Sequence, residues 1–233
     1  MLAIASFLLG FLRDLFIARS FGLSWEADLI FVALILPVFF ENFFGLALRD
    51  AMIPYLQKLR SQSEALFASV ARWIYWRVML MGLLASTLAI VGSYWLLGLL
   101  APGWSTAQIE AGQLVFCIGA LLVTAQAALY CQGALLNMDE IFLLPMTRTV
   151  LLNSGAIIGI LFFKPTDIAI FVGMLLPQLG LILVQHRRIT YLRMPRKAEL
   201  QGQDQGRGFG LAFAPVLLAA GAHVFDRAWR LPL

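Results

Sequence analysis

The chain has 233 residues, 61% of them hydrophobic and 13% charged, with a mean hydropathy of +0.85. Against the roughly 25% charged residues of a soluble globular domain, this composition excludes a soluble fold. The length accommodates about six or seven spanning helices of about 20 residues each and leaves no room for a soluble catalytic domain.

The first apolar segment, residues 2–21, lacks the basic start and small-residue cleavage site of a secretory signal and reads as a retained helix. It carries Arg13 and Asp14 at its middle and Arg19 near its end, where Gly22 stops it and Ser24 is placed to cap the next helix. The second helix, 28–47, begins at Asp28, contains Pro37 and carries Glu41. Its continuation over 48–59 brings Arg49, Asp50, Pro54 and Lys58, which marks the exit from the bilayer, and 60–72 read as a polar connection. The third helix spans 73–100, with Trp73, Tyr75 and Trp76 at one end and Tyr94 and Trp95 at the other, as two interfacial aromatic belts require.

After a break at Pro102 and Gly103, the fourth helix covers 111–136 and holds both cysteines, Cys117 and Cys131. They share a face but lie roughly 21 Å apart along the axis, so they form no disulfide, and their spacing fits no metal site. The fifth helix, 141–163, carries Arg148 and Asn153, and the sixth covers 168–185. Three units follow: a six-helix lobe over 1–185, a basic linker over 186–207, and the truncated start of a seventh helix over 208–233.

Lysine and arginine gather after the second helix (Lys58, Arg60, Arg72, Arg77) and after the sixth (Arg187, Arg188, Arg193, Arg196, Lys197, Arg207). By the positive-inside rule those connections, and the N-terminus, are cytoplasmic. The net charge of +4 is therefore topological. Anionic lipid headgroups are its counter-surface and no nucleic-acid partner is implied.

Ionisable side chains within spans are costly and default to a cavity or pathway. Arg13, Arg19, Asp28, Glu41 and Arg148 are the candidate lining, and arginine forks suit phosphate or diphosphate. The plainer reading is that Arg13 pairs with Asp14 or Glu41 to hold helices together while Arg19 and Asp28 anchor at the interface. Gln126, Gln132, Asn153 and Gln178 either bind a sugar or act as interhelical glue, and Gly155 with Gly159 permits close packing. No Ser/His/Asp set, metal motif or phosphate loop is present in the sequence, so the chain reads as a non-enzyme without a cofactor.

The runs Leu9-Gly10-Phe11-Leu12-Arg13-Asp14, Ile17-Ala18-Arg19-Ser20-Phe21-Gly22 and Glu26-Ala27-Asp28, then Leu36-Pro37, Leu100-Ala101-Pro102-Gly103, Leu136-Asn137 and Val150-Leu151-Leu152-Asn153, resemble the MurJ (MviN) family of lipid II flippases in the MOP exporter superfamily. The resemblance implies an all-α polytopic transmembrane bundle, here one N-terminal lobe, in a bacterial inner membrane. It implies alternating-access translocation of an undecaprenyl-diphosphate-linked peptidoglycan precursor, with Arg13 and Arg19 on the diphosphate and Asp28 at an important acidic position. Where the family carries an arginine pair after Leu-Pro, this chain has Glu41 and Asn42, which leaves open a related lipid-linked oligosaccharide as substrate. A MATE-like exporter of small cations and a non-transporting membrane scaffold are the alternatives. A second copy or a second chain supplying the other lobe is the expected partner.

Overall fold

The computed structural model describes residues 2–162 and 167–193. The expected seventh run and most of the expected linker lie outside the described residues. Eight α-helices follow one another among the described residues: α1 (Leu2–Phe21), α2 (Trp25–Phe40), α3 (Leu46–Gln62), α4 (Glu64–Val91), α5 (Ser93–Leu100), α6 (Thr106–Met138), α7 (Leu143–Phe162) and α8 (Asp167–Arg188). A π-helical turn, Glu41–Gly45, joins α2 to α3 without a break, and a 3₁₀ turn, Thr190–Arg193, follows α8.

The molecule is a helical membrane bundle. Four helices, α4, α6, α7 and α8, are long and apolar enough to cross a membrane by length and composition. The two other expected spans are less clear-cut for visible reasons: α1 carries three charges, and α2 has only 16 residues before the π turn. Large apolar side chains such as Phe7 (78% exposed), Leu88 (70%) and Leu183 (63%) cover its outer surface. Such an extent of exposed apolar area suits a lipid-facing bundle.

Helix α6 is the axle. A capping box between Ser105 and Gln108 starts it, satisfying two of the N–H groups a helix start leaves orphaned. At 33 residues it is roughly 50 Å long, well beyond the roughly 30 Å hydrocarbon thickness. Two large cores are threaded on it. One joins α1, α2, α7 and α8 through Ile17, Leu29, Phe116, Ile160 and Phe171. The other joins α3, the start of α4 and the residues after α8 through Met52, Leu56, Phe67, Tyr75, Leu135 and Tyr191.

This second core revises the expected polar connection over 60–72. Only its first residues end α3; from Glu64 the chain is already helical, and Phe67 to Arg72 are all buried. The outer face of α3 instead presents Pro54, Gln57, Lys58, Ser61 and Gln62, and exposed large apolar side chains on α4 begin only at Trp76. Apolar-in, polar-out patterning there is that of a water-soluble core, so the projecting end of the bundle is a small extramembrane cap. Arg60 clasps it, bonding Asp139 at 2.9 Å and Glu64 at 3.3 Å. Burial works against the Arg60 charge, but Asp139 and Glu64 more than compensate and hold it protonated.

The aromatic belts are partly as expected. Trp76 and Trp95 are exposed, but Tyr75 turns into the core, where Gln132 donates to its hydroxyl at 3.1 Å. The third predicted helix is split at Gly92 into α4 and α5, and Ser24 caps α2 by position without a side-chain bond. Cys117 and Cys131 are both free thiols.

Candidate functional site

Arg13 lies at mid-length of α1, facing α7. Its fork bonds Asp14 at 2.8 Å and donates to Asn153 Oδ1 at 3.0 Å. Asn153, buried on α7, donates in turn to the Ser6 carbonyl at 3.2 Å. A single amide thus staples α7 to two points of α1, satisfying a polar side chain that burial would otherwise penalise.

Arg148 stands about 7.5 Å earlier along α7, five residues before Asn153. Its Nη2 donates to Glu41 Oε1 at 2.8 Å and to the Tyr130 hydroxyl at 2.8 Å, and its Nη1 donates to Gln126. The guanidinium also lies 4.3 Å from the centroid of the Tyr130 ring, a cation–π contact. From α8, Gln178 donates to the Arg148 carbonyl at 3.0 Å, fixing the backbone beneath the side chain. Four elements meet here: the π turn, α6, α7 and α8.

Pro37 and two close glycine contacts flank the π turn. Pro37 lacks an N–H, so it cannot bond Ala33 within α2; Gly119 of α6 approaches that same Ala33 carbonyl, where an added Cβ would lie 2.9 Å from the oxygen. One turn later Glu41 N–H reaches back to the Pro37 and Val38 carbonyls, and the wider turn begins. At its other end Gly45 admits the Tyr130 ring, which an added Cβ would meet at 2.6 Å. Single π turns inside α-helices recur at functional sites.

A cavity of about 330 Å³ opens beside Arg148, lined among others by Ser6, Tyr130, Asn137, Pro145 and Thr149. It lies between α1, α6 and α7, on the side of the bundle nearest the extramembrane cap.

Of the residues singled out from sequence, Arg13 and Arg148 are brought to neighbouring levels of α7, and Glu41 joins Arg148. Arg19 and Asp28 do not join them. Arg19 is about 9 Å further along α1 than Arg13, Asp28 is in the first turn of α2, and both are exposed near the α1–α2 joint. Two of these arginines are matched by acids, Arg13 by Asp14 and Arg148 by Glu41. Sequence reasoning overlooked Tyr130, although a tyrosine in an apolar helix needs a partner for its hydroxyl. Gln126 and Asn153 were legible as polar but not as arginine acceptors.

A family model described as lipid II flippase MurJ matches residues 17–225. Among solved structures, a chain described as lipid II flippase MurJ in an inward closed conformation superposes with a TM-score of 0.75 at 21% identity. The match covers 94% of this chain and 47% of that chain. At this identity the structural likeness speaks for the fold, and the chain spans about half the length of that relative.

Proposed function

This chain belongs to the lipid II flippase MurJ family, a family of transporters, and from that membership we propose that it forms the N-terminal lobe of a flippase for lipid II or a related diphosphate-linked saccharide. The single observation that carries the proposal beyond membership is that two arginines, Arg13 on α1 and Arg148 on α7, are held at neighbouring levels of α7, with Arg148 lining a cavity. A diphosphate offers the bidentate oxygens that guanidinium forks recognise. Alternating access against a second helical lobe, on the same polypeptide or another, would expose these arginines to each side of the membrane in turn.

The orientation follows from charge. Lys58, Arg60, Arg77, Arg187 and Arg188 gather around the extramembrane cap, which we place in the cytoplasm of a bacterial cell, with the start of α1 on the same side. A MATE-like cation exporter needs an available acid, and Glu41 is already engaged by Arg148.

The test is complementation of a flippase-depleted bacterium by this chain, with Arg13→Ala alongside and membrane insertion checked for both. Rescue that Arg13→Ala abolishes supports the reading. Rescue indifferent to Arg13→Ala, or an inserted chain that fails with and without a co-expressed second lobe, sinks it.

A further inference from the structure

Arg148 lines the cavity, yet most of the groups that hold its fork do not. Two of its three acceptors, Glu41 and Gln126, do not line the cavity, and only Tyr130 belongs to both surroundings. Among the described residues the bonds to these acceptors use three of the five N–H donors a guanidinium carries. Glu41 itself is 36% exposed, so its carboxylate can be rehydrated if it lets go. The cavity offers about 330 Å³, far more than the roughly 10–15 Å³ a single water requires.

From this geometry we infer that Glu41 is a built-in competitor, a carboxylate that occupies the Arg148 fork in the empty site and is displaced by a phosphate group of the substrate entering the cavity. This rests on the phosphate-binding reading above and adds a specificity-determining role for Glu41. Carboxylate and phosphate compete for one fork because both present paired oxygens at matching spacing, and a diphosphate brings more charge to the exchange. Tyr130 is the pivot. Its hydroxyl touches the fork while Glu41 holds it, and Tyr130 also lines the cavity into which the fork would turn.

A purely structural ion pair would show the same contacts, and the variants must separate the two. The full chain in zwitterionic lipid nanodiscs is titrated with inorganic pyrophosphate and, separately, with farnesyl diphosphate, while thermal unfolding reports whether each variant folds. Glu41→Gln is expected to tighten diphosphate binding roughly tenfold, the scale of about 1.4 kcal/mol removed from the competition. Arg148→Gln should remove that gain. The charge swap Glu41→Arg with Arg148→Glu keeps an ion pair and the fold, but withdraws the cation from the cavity side, so it should bind more weakly than the parent.

Tightening with farnesyl diphosphate alone would assign the site to a lipid-borne group, and tightening with both would assign it to the phosphate chemistry itself. Binding unmoved by Glu41→Gln and by the swap, yet lost in Arg13→Gln, would overturn the inference and leave the phosphate-site reading standing. Folded protein that binds neither probe in any form would overturn both.

Discussion

Glu41 and Arg148 illustrate how much one exchange of charge can decide at a single position. A lone guanidinium on α7 would be costly at this depth, and the acid on the π turn removes that cost. Glu41→Ala should therefore destabilise the bundle by about 2 kcal/mol, below the usual range for breaking a buried pair because Glu41 is 36% exposed. The double variant with Arg148→Ala should lose less than the sum of the singles, with a coupling of about 1–2 kcal/mol. Unfolding in detergent as a double-mutant cycle measures this, and additive losses would mean that the two side chains do not sense each other. The neighbouring arginine behaves differently, since Arg13 finds its acid in the adjacent residue, Asp14, and its link to another helix through an amide.

At the scale of elements, α7 and α8 owe their close approach to glycine. A Cβ on Gly155 would lie 2.0 Å from the Gly173 carbonyl oxygen, and one on Gly159 would lie 2.3 Å from that of Ala169. Backbone atoms cannot turn aside as a side chain can, so the helices would have to separate. Gly155→Ala is predicted to cost about 3 kcal/mol or more. Gly180→Ala, on the same helix pair but with nothing within 4 Å of the new methyl, should be neutral or gain up to about 1 kcal/mol from helix propensity. Equal effects of the two substitutions on thermal unfolding would refute the close-packing account. The spacing of Gly155 and Gly159 announced that face in the sequence, whereas the partner residues Gly173 and Ala169 could be named only once the two helices were brought together. The split of the long α2–α3 rod by a π turn was foreshadowed only by Pro37, because the turn also needs Gly45 and the Tyr130 ring that fills the space beside it.

At the scale of the whole molecule, the bundle has a lipid-facing part and a cap with an aqueous surface, and the chain after α8 belongs to the cap. Ile189, Tyr191 and Leu192 are buried against α3, α4 and α6, so the chain leaving α8 is tied down within the first part of the basic stretch. Burial pushes the Tyr191 phenol up from its ordinary value of 10.0, and the nearby Asp139 carboxylate adds to the rise. A raised value in the folded state means that the fold favours the neutral phenol. The associated stability is complete below about pH 10 and is lost as pH rises above it. The protection factors of residues 189–193 against hydrogen exchange, relative to the base-catalysed intrinsic rate, should fall above pH 10 in the parent and much less in Tyr191→Phe. An identical fall in both would show that Tyr191 ionisation does not control the anchorage.

Composition and the length of the apolar runs determined by themselves that this is a helical membrane protein, since lipid admits only helices and closed barrels and apolar runs of about 20 residues fit a spanning helix, not a strand. The run of residues around Arg13, Asp14 and Asp28 gave the family, and the positions of intramembrane charges marked Arg13, Glu41 and Arg148 for attention. Only the tertiary structure decided which of those charges meet. Pairing of Arg148 with Glu41 joins residues 107 positions apart, and no local pattern encodes such a distance. The same holds for residues 60–72, whose polar content reads as a connection until α3, α6 and the turn after α8 close around Phe67 and Arg72. A helix face is written in periodicity, but which helix covers it is set by packing among all of them.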